Sequence, residues 1–196
     1  MRVLYLYSHP LKESFHHAVL GESLRGLREA GHEVDVCDLY AEGFDPVLSA
    51  EGRRDYHDTS INQRGLESHV ARLKSAEMLV LQFPTWTFGA PAMLKGYLDR
   101  MMMPGVAFDI SDPANVKSSL HNIRRVVGIA TYGRPRLVAL YVGDPPRKIV
   151  TRYLPRLVHP KARVAYHALY HMNVATLEQR EAFMARVRMA MSRLRD

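Results

Sequence analysis

The 196-residue chain holds a single cysteine, Cys37, so no intrachain disulfide can form and a cysteine-rich metal cluster is excluded. Its apolar runs are strand-sized, and none approaches the length that membrane insertion requires. Residues 1–8 carry one basic residue, too short an apolar stretch for a secretory signal and no small-residue cleavage pattern; a cytoplasmic protein is the expectation. Repeats and linker-like stretches are missing, which makes residues 1–196 one domain. Neither a Gly-x-Gly-x-x-Gly nor a Walker A word occurs, so a Rossmann or P-loop reading has no motif behind it. Zinc-finger, RNP and heptad-linked basic-region patterns are absent too.

What is present describes a globular protein with a basic surface. Hydrophobic residues make up 47% and charged residues 24%, a balance that excludes disorder. The formal net charge of +7 attracts anions, among them phosphorylated cofactors and nucleic acid. The basic residues are scattered rather than patterned, so no nucleic-acid partner is expected. Cys37 lies in Glu33–Leu39, whose alternation sets Val34 and Val36 on one strand face and Cys37 on the other. It reads as a packing thiol, and no metal site is expected.

Apolar strands at Val3–Tyr7, Glu33–Leu39, Met78–Gln82, Arg125–Thr131 and Val164–Leu169 alternate with helical stripes. Phe15, Val19, Leu24 and Leu27 stripe one helix, with Ser14 as its N-cap and Gly31 as its stop. Asp144 is placed to cap a later helix, and Thr176 with Gln179 has capping-box spacing before Phe183, Val187, Met191 and Leu194. This order predicts a three-layer α/β domain with a parallel sheet. Periodicity does not give the strand order. The polar connection Ala50–Gly65 is long enough to be a lid, a dimer arm or a short helix.

The chemistry concentrates where strands end. Phe83-Pro84-Thr85-Trp86-Thr87-Phe88-Gly89 follows a buried strand and precedes a helix, and ligands of open α/β sheets bind at that edge. Its aromatics suit a flat apolar ligand; the plainer reading is a rigid turn that caps the core. The first strand runs through a polar loop, Ser8-His9-Pro10, into a helix start at Ser14, a natural anion site. Thr131-Tyr132-Gly133-Arg134-Pro135 ends the fourth strand in the same fashion.

The stretch Phe83 to Arg100 resembles the post-strand loop of the flavodoxin-like NAD(P)H:quinone oxidoreductase family, the DT-diaphorase type with its bacterial NAD(P)H dehydrogenase branch. Bacterial members often read Pro-Thr-Trp-Trp-Phe-Gly here, and Thr87 stands in place of the second tryptophan. The resemblance implies strand order 2-1-3-4-5 and a flavin whose ring lies against Pro84, Thr85, Trp86, Thr87 and Phe88. It places His9, Ser14, Phe15 and His16 on the cofactor phosphate loop, with His16 where asparagine is usual. It sets Thr131, Tyr132 and Gly133 beside the flavin pyrimidine edge, with Ala130 replacing a threonine. Mammalian members use a tyrosine and a histidine in hydride transfer; Tyr141 answers to the first, and no histidine aligns at Val142 or Gly143.

The implied activity is hydride transfer from NADH or NADPH through bound FAD, or FMN, to a quinone-like acceptor, in a homodimer whose second subunit lends Phe108 and the Ala50–Gly65 arm. The chain resembles more distantly the flavoprotein regulatory subunits of bacterial potassium efflux systems. A flavin-free interaction protein on the same fold is the third reading.

Overall fold

The computed structural model describes residues 1–112 and 114–195. In chain order the elements are β1 (Arg2–Tyr7), α1 (Phe15–Glu29), β2 (Glu33–Asp38), α2 (Ala50–Asp55), α3 (Glu67–Ser75), β3 (Met78–Pro84), α4 (Ala92–Met101), β4 (Phe108–Asp109), β5 (Lys117–Ser118), β6 (Arg125–Thr131), α5 (Arg136–Tyr141), α6 (Pro145–Lys148), β7 (Arg163–Leu169) and α7 (Leu177–Ser192). The five long strands pair in parallel in the order β2-β1-β3-β6-β7, which is 2-1-3-4-5 when only they are counted. The direction of winding reverses between β1 and β3.

Helices cover both faces, so the central strands read as continuous apolar runs. Val3, Tyr5, Met78, Val80, Val127 and Ile129 pack against Val19 and Leu27 of α1 and Phe183, Val187 and Met191 of α7. The alternate residues Leu4, Leu6, Leu79 and Leu81 face Val70 and Leu73 of α3 and Leu94, Tyr97 and Leu98 of α4. Each such aliphatic side chain, fully buried, contributes about 1.5–3 kcal/mol against the entropy of ordering the chain. Among the described residues no helix is long and apolar enough to cross a membrane.

Local chemistry sets the helix ends. Ser14 Oγ accepts from His17 N at 3.2 Å, and Gly31, at φ +78°, stops the chain after α1. Thr176 and Gln179 form the reciprocal capping box. Asp144 departs from expectation: it sits at φ +44°, makes no side-chain cap, and turns its carboxylate inward to Tyr132. Of the readings open for Ala50–Gly65, a short helix is what forms, followed by turns tied to the same chain. The Tyr56 hydroxyl donates to Met102 O at 2.9 Å, and Asn62 Nδ2 donates to Tyr56 O and Pro104 O. The polar segment after Phe108 supplies the short antiparallel pair β4–β5. Helix α5 has no sequence counterpart in the reading above.

Gly96 lets α4 lie directly on the turn after β2. A Cβ there would fall 2.2 Å from Pro46 O. Gly96→Ala therefore forces the two apart, and we expect a net loss of about 1–3 kcal/mol although alanine favours helix. The urea midpoint measures it; a midpoint at or above wild type would deny the close approach.

Candidate functional site

Parallel register sets Tyr7 beside Gln82 and Pro84 beside Thr131, so the loops after β1, β3 and β6 leave one edge of the sheet together. That edge includes the β1/β3 reversal, where diverging connections leave a crevice. In the first loop Ser14 Oγ donates to Leu11 O at 2.7 Å while accepting from His17 N. Phe15 and His16 N–H find no acceptor among the described residues, as expected of a helix's first turn. The helix dipole adds a partial positive charge at the same place. The Phe15 ring points elsewhere, 6.2 Å from Phe183 in the α1–α7 core. Only its backbone can serve the loop.

The second loop is a two-residue turn. Trp86 N donates to Gly89 O at 3.1 Å and Gly89 N donates to Trp86 O at 2.9 Å, closing Thr87 and Phe88 between them. Both central residues have positive φ, 51° and 56°, the pattern of a type I′ turn. A β-branched and an aromatic residue are poor occupants of that region, at about 1–2 kcal/mol apiece. The geometry leaves Trp86 42% exposed and Phe88 half-buried at the lip of the crevice. Thr85 anchors the turn from below, donating N–H at 2.9 Å and Oγ1–H at 3.0 Å to Thr131 O.

In the third loop the Thr131 side chain and the Gly133 backbone face the other two. The Tyr132 phenol turns the opposite way, into the core. It donates to Asp144 Oδ1 at 2.7 Å, lies 2.6 Å from Tyr166 Oη, and its ring stacks on Tyr170 at 4.4 Å. Burial and the neighbouring Tyr166 hydroxyl hold its pKa far above the phenol range. Tyr132 N–H is taken by Leu169 O, while Gly133 and Arg134 N–H find no acceptor among the described residues, and the Asn173 side chain lies beside the Gly133 Cα.

A buried chain of hydrogen bonds ties the loops together. Gln82 Oε1 accepts from the Tyr5 hydroxyl; its Nε2 donates to His16 O at 2.6 Å and lies 3.3 Å from His16 Nδ1. His16 Nε2 is 2.8 Å from Thr131 Oγ1. With the proton on Nε2 every partner is satisfied: Nδ1 accepts from Gln82 and Nε2–H donates to Thr131. A second proton would point at the Gln82 amide donor. Burial, with a smaller contribution from the His9 charge, accordingly pushes the His16 pKa down to about 3. The His9 ring stacks on His16 at 5.6 Å and lies 6.0 Å from Trp86, and burial lowers its pKa too.

The fold thus gathers His9, Ser14, His16, Pro84, Thr85, Trp86, Thr87, Phe88, Thr131 and Gly133 at one edge. Tyr141 is apart from them at the end of α5, 90% exposed. Sequence reasoning missed Gln82, Tyr5 and Asn173. For Gln82 a signal was available: it is the one polar residue in the fully buried run Met78–Pro84.

A doubly wound sheet whose reversal point carries a helix start with unpaired N–H groups and an aromatic turn defines an α/β domain with a crevice at the carboxyl edge. The model of the flavodoxin-like fold family matches residues 1–145, and the chain belongs to that family. Among curated proteins it is 29% identical over 156 residues to NAD(P)H dehydrogenase [quinone] 1 of Cavia porcellus, covering 71% of this chain and 56% of the relative. An uncharacterized NAD(P)H oxidoreductase of Haemophilus influenzae is 32% identical over 117 residues, 59% of this chain and 57% of the relative. The chain thus spans little more than half the length of these curated relatives. A solved NAD(P)H:quinone oxidoreductase from Methanothermobacter marburgensis superposes with a TM-score of 0.85 at 28% identity, covering 100% of this chain and 99% of that one.

The buried neutral His16 makes stability depend on pH. Its folded pKa lies below the unfolded value of about 6.5, so the unfolded chain takes up a proton first as pH falls. Its contribution is full above about pH 6.5 and is lost toward pH 3, at a slope approaching about 1.4 kcal/mol per pH unit. Urea unfolding at pH 6.5 and pH 4.5 should show a smaller drop for His16→Asn than for wild type. Equal drops would mean that His16 is not buried neutral.

Proposed function

We propose that the chain is a flavin-dependent NAD(P)H oxidoreductase acting on quinones or similar electrophiles. The observation that carries this reading is the Trp86 turn: an exposed indole, held by two residues at positive φ, across a narrow edge from an α-helix amino terminus. The names of the relatives agree with it.

The residues fit a flavin. Phe15 and His16 N–H, with Ser8 Oγ buried and unpartnered beside them, make a phosphate cradle. Trp86 and Phe88 offer a wall for a planar ring, and Gly133 N–H is a donor for its polar edge. The Ser14-Phe15-His16 word favours FAD over FMN, and NADH or NADPH would be the donor. A bound flavin supplies the two-electron exchange between nicotinamide and quinone. The protein's part is orientation: Thr85 fixes the turn against Thr131, and His16 fixes Thr131 against Gln82. Tyr141 would be the tyrosine that assists hydride transfer, and it could reach the ring only in an assembled site. Its exposure, with that of Leu137 and Leu140 on the same short helix, supports cover by a second copy of the chain.

Protein mixed with excess FAD or FMN and desalted should keep a visible flavin band that bleaches with anaerobic NADH or NADPH and recovers on adding a quinone. Trp86→Ala should weaken flavin binding about tenfold, within the range for a lost aromatic stack. Failure to retain either flavin would overturn the proposal in favour of an interaction protein.

Sedimentation should give a dimer that Leu137→Glu converts to monomer with the fold intact by circular dichroism. A wild-type monomer would remove the second copy from the site.

A further inference from the structure

We propose that Cys37, Glu42 and His69 bind a single zinc-class divalent cation on the α3 side of the sheet, apart from the cofactor crevice. Neither composition nor spacing announces it, since the partners lie 5 and 32 positions from Cys37. The fold assembles them from three segments. Alternation along edge strand β2 turns Cys37 toward α3, where it is fully buried. The chain then makes a tight turn, with Asp38 Oδ1 accepting from Tyr40 and Ala41 N–H and Glu42 N donating to Asp38 O, which returns Glu42 over the sulfur. Helix α3 presents His69 and Arg72 one turn apart on the same face.

The three ligand atoms lie within 4.8 Å of one another, with Sγ 3.6 Å from Glu42 Oε2 and 3.8 Å from His69 Nδ1. Tetrahedral zinc with sulfur at about 2.3 Å and nitrogen or oxygen at about 2.0–2.1 Å requires edges of about 3.5 Å. The two edges from the sulfur are therefore already close to the spacing that the ion would impose, and the third, within 4.8 Å, closes by a small side-chain adjustment. Thiolate, imidazole and carboxylate together are the donor set of a borderline-soft, four-coordinate ion. Three protein ligands leave the fourth position to water.

The surroundings suit the ion as well. Phe44 meets the His69 ring edge-on at 5.0 Å and Tyr97 at 5.7 Å, fixing its orientation. The Tyr97 hydroxyl is buried without a hydrogen-bond partner among the described residues. Arg72 donates to Glu42 Oε2 at 2.7 Å and grips Asp35 through two further bonds of 2.7 Å, so the carboxylate ligand is already oriented. Before binding, Asp35, Glu42 and Arg72 leave one net negative charge beside a neutral thiol. Binding breaks the S–H bond, forms the sulfur–metal bond and releases that proton to solvent, and the cluster becomes neutral. Glu42 and His69 are partly open to solvent, which gives the ion its entry.

Cobalt(II) reads the site directly, because a thiolate ligand gives a near-ultraviolet charge-transfer band. Chelator-treated wild-type protein titrated with cobalt should develop this band to one ion per chain, and zinc should abolish it. Cys37→Ser should lose the band, and His69→Gln should weaken zinc binding about tenfold or more. Should Cys37→Ser fail to fold, His69→Gln, altered at a half-buried position, still decides the matter by calorimetry. Absence of the band in wild type would overturn the proposal. So would zinc affinities within about twofold for wild type and both folded variants, which would place the ion on other histidines.

Discussion

The site depends on one amide buried in the middle of the sheet. Gln82 cannot leave its Oε1 and Nε2 unpaired in an apolar strand, since each such loss costs about 1–3 kcal/mol. Its bonds to Tyr5 and His16 therefore fix β3 against both β1 and α1. His16 passes the constraint to β6 through Thr131, and Thr131 O passes it back to β3 through Thr85. The loop relies on the strands being locked, and the strands on the loop keeping water from the amide. Such closed polar networks specify a single arrangement where apolar packing alone would tolerate several.

The Trp86–Gly89 turn draws on that rigidity. Thr87 and Phe88 are forced into a backbone region that glycine or asparagine would occupy at little cost. Strain of this kind persists when the surroundings over-determine it, and the two hydrogen bonds that Thr85 donates to Thr131 O do so. What the strain secures is direction. The tight turn holds the indole out over the crevice rather than letting it collapse onto the core, as an apolar side chain in a looser loop would.

How much of this was legible in the sequence follows from the range of each interaction. Ser14 and the Thr176–Gln179 box were readable because a cap is decided within a few residues. So were the sheet strands, whose burial is written in their periodicity. The strand order came only by resemblance, because no local pattern encodes it. Side-chain direction was the weak point. Phe15 and Tyr132 belong to the right loops, yet their rings serve the core, since the partners that claim them, Phe183, Asp144 and Tyr166, are distant in the chain. Asp144 illustrates the competition: as a cap it would gain a local bond, but a buried phenol claimed its carboxylate instead. Cys37 packs in the core as its strand alternation indicated, while its contact with His69 could not be read because it forms only when α3 docks.

The distribution of charge sharpens the view of the crevice. Arg124, Arg125, Lys161 and Arg163 line a cleft of about 560 Å³ at the amino-terminal edge of the sheet, the end opposite the site. These four basic residues therefore lie away from the crevice, where screening at physiological salt limits their reach to about 8 Å. At the crevice, the start of α1 offers backbone N–H groups whose partial charges do not titrate. Burial keeps His16 neutral, and burial pushes His9 the same way. The net charge can speed the approach of any anion, whereas the shape of the crevice rests on the placement of amides. That placement traces back to Gln82.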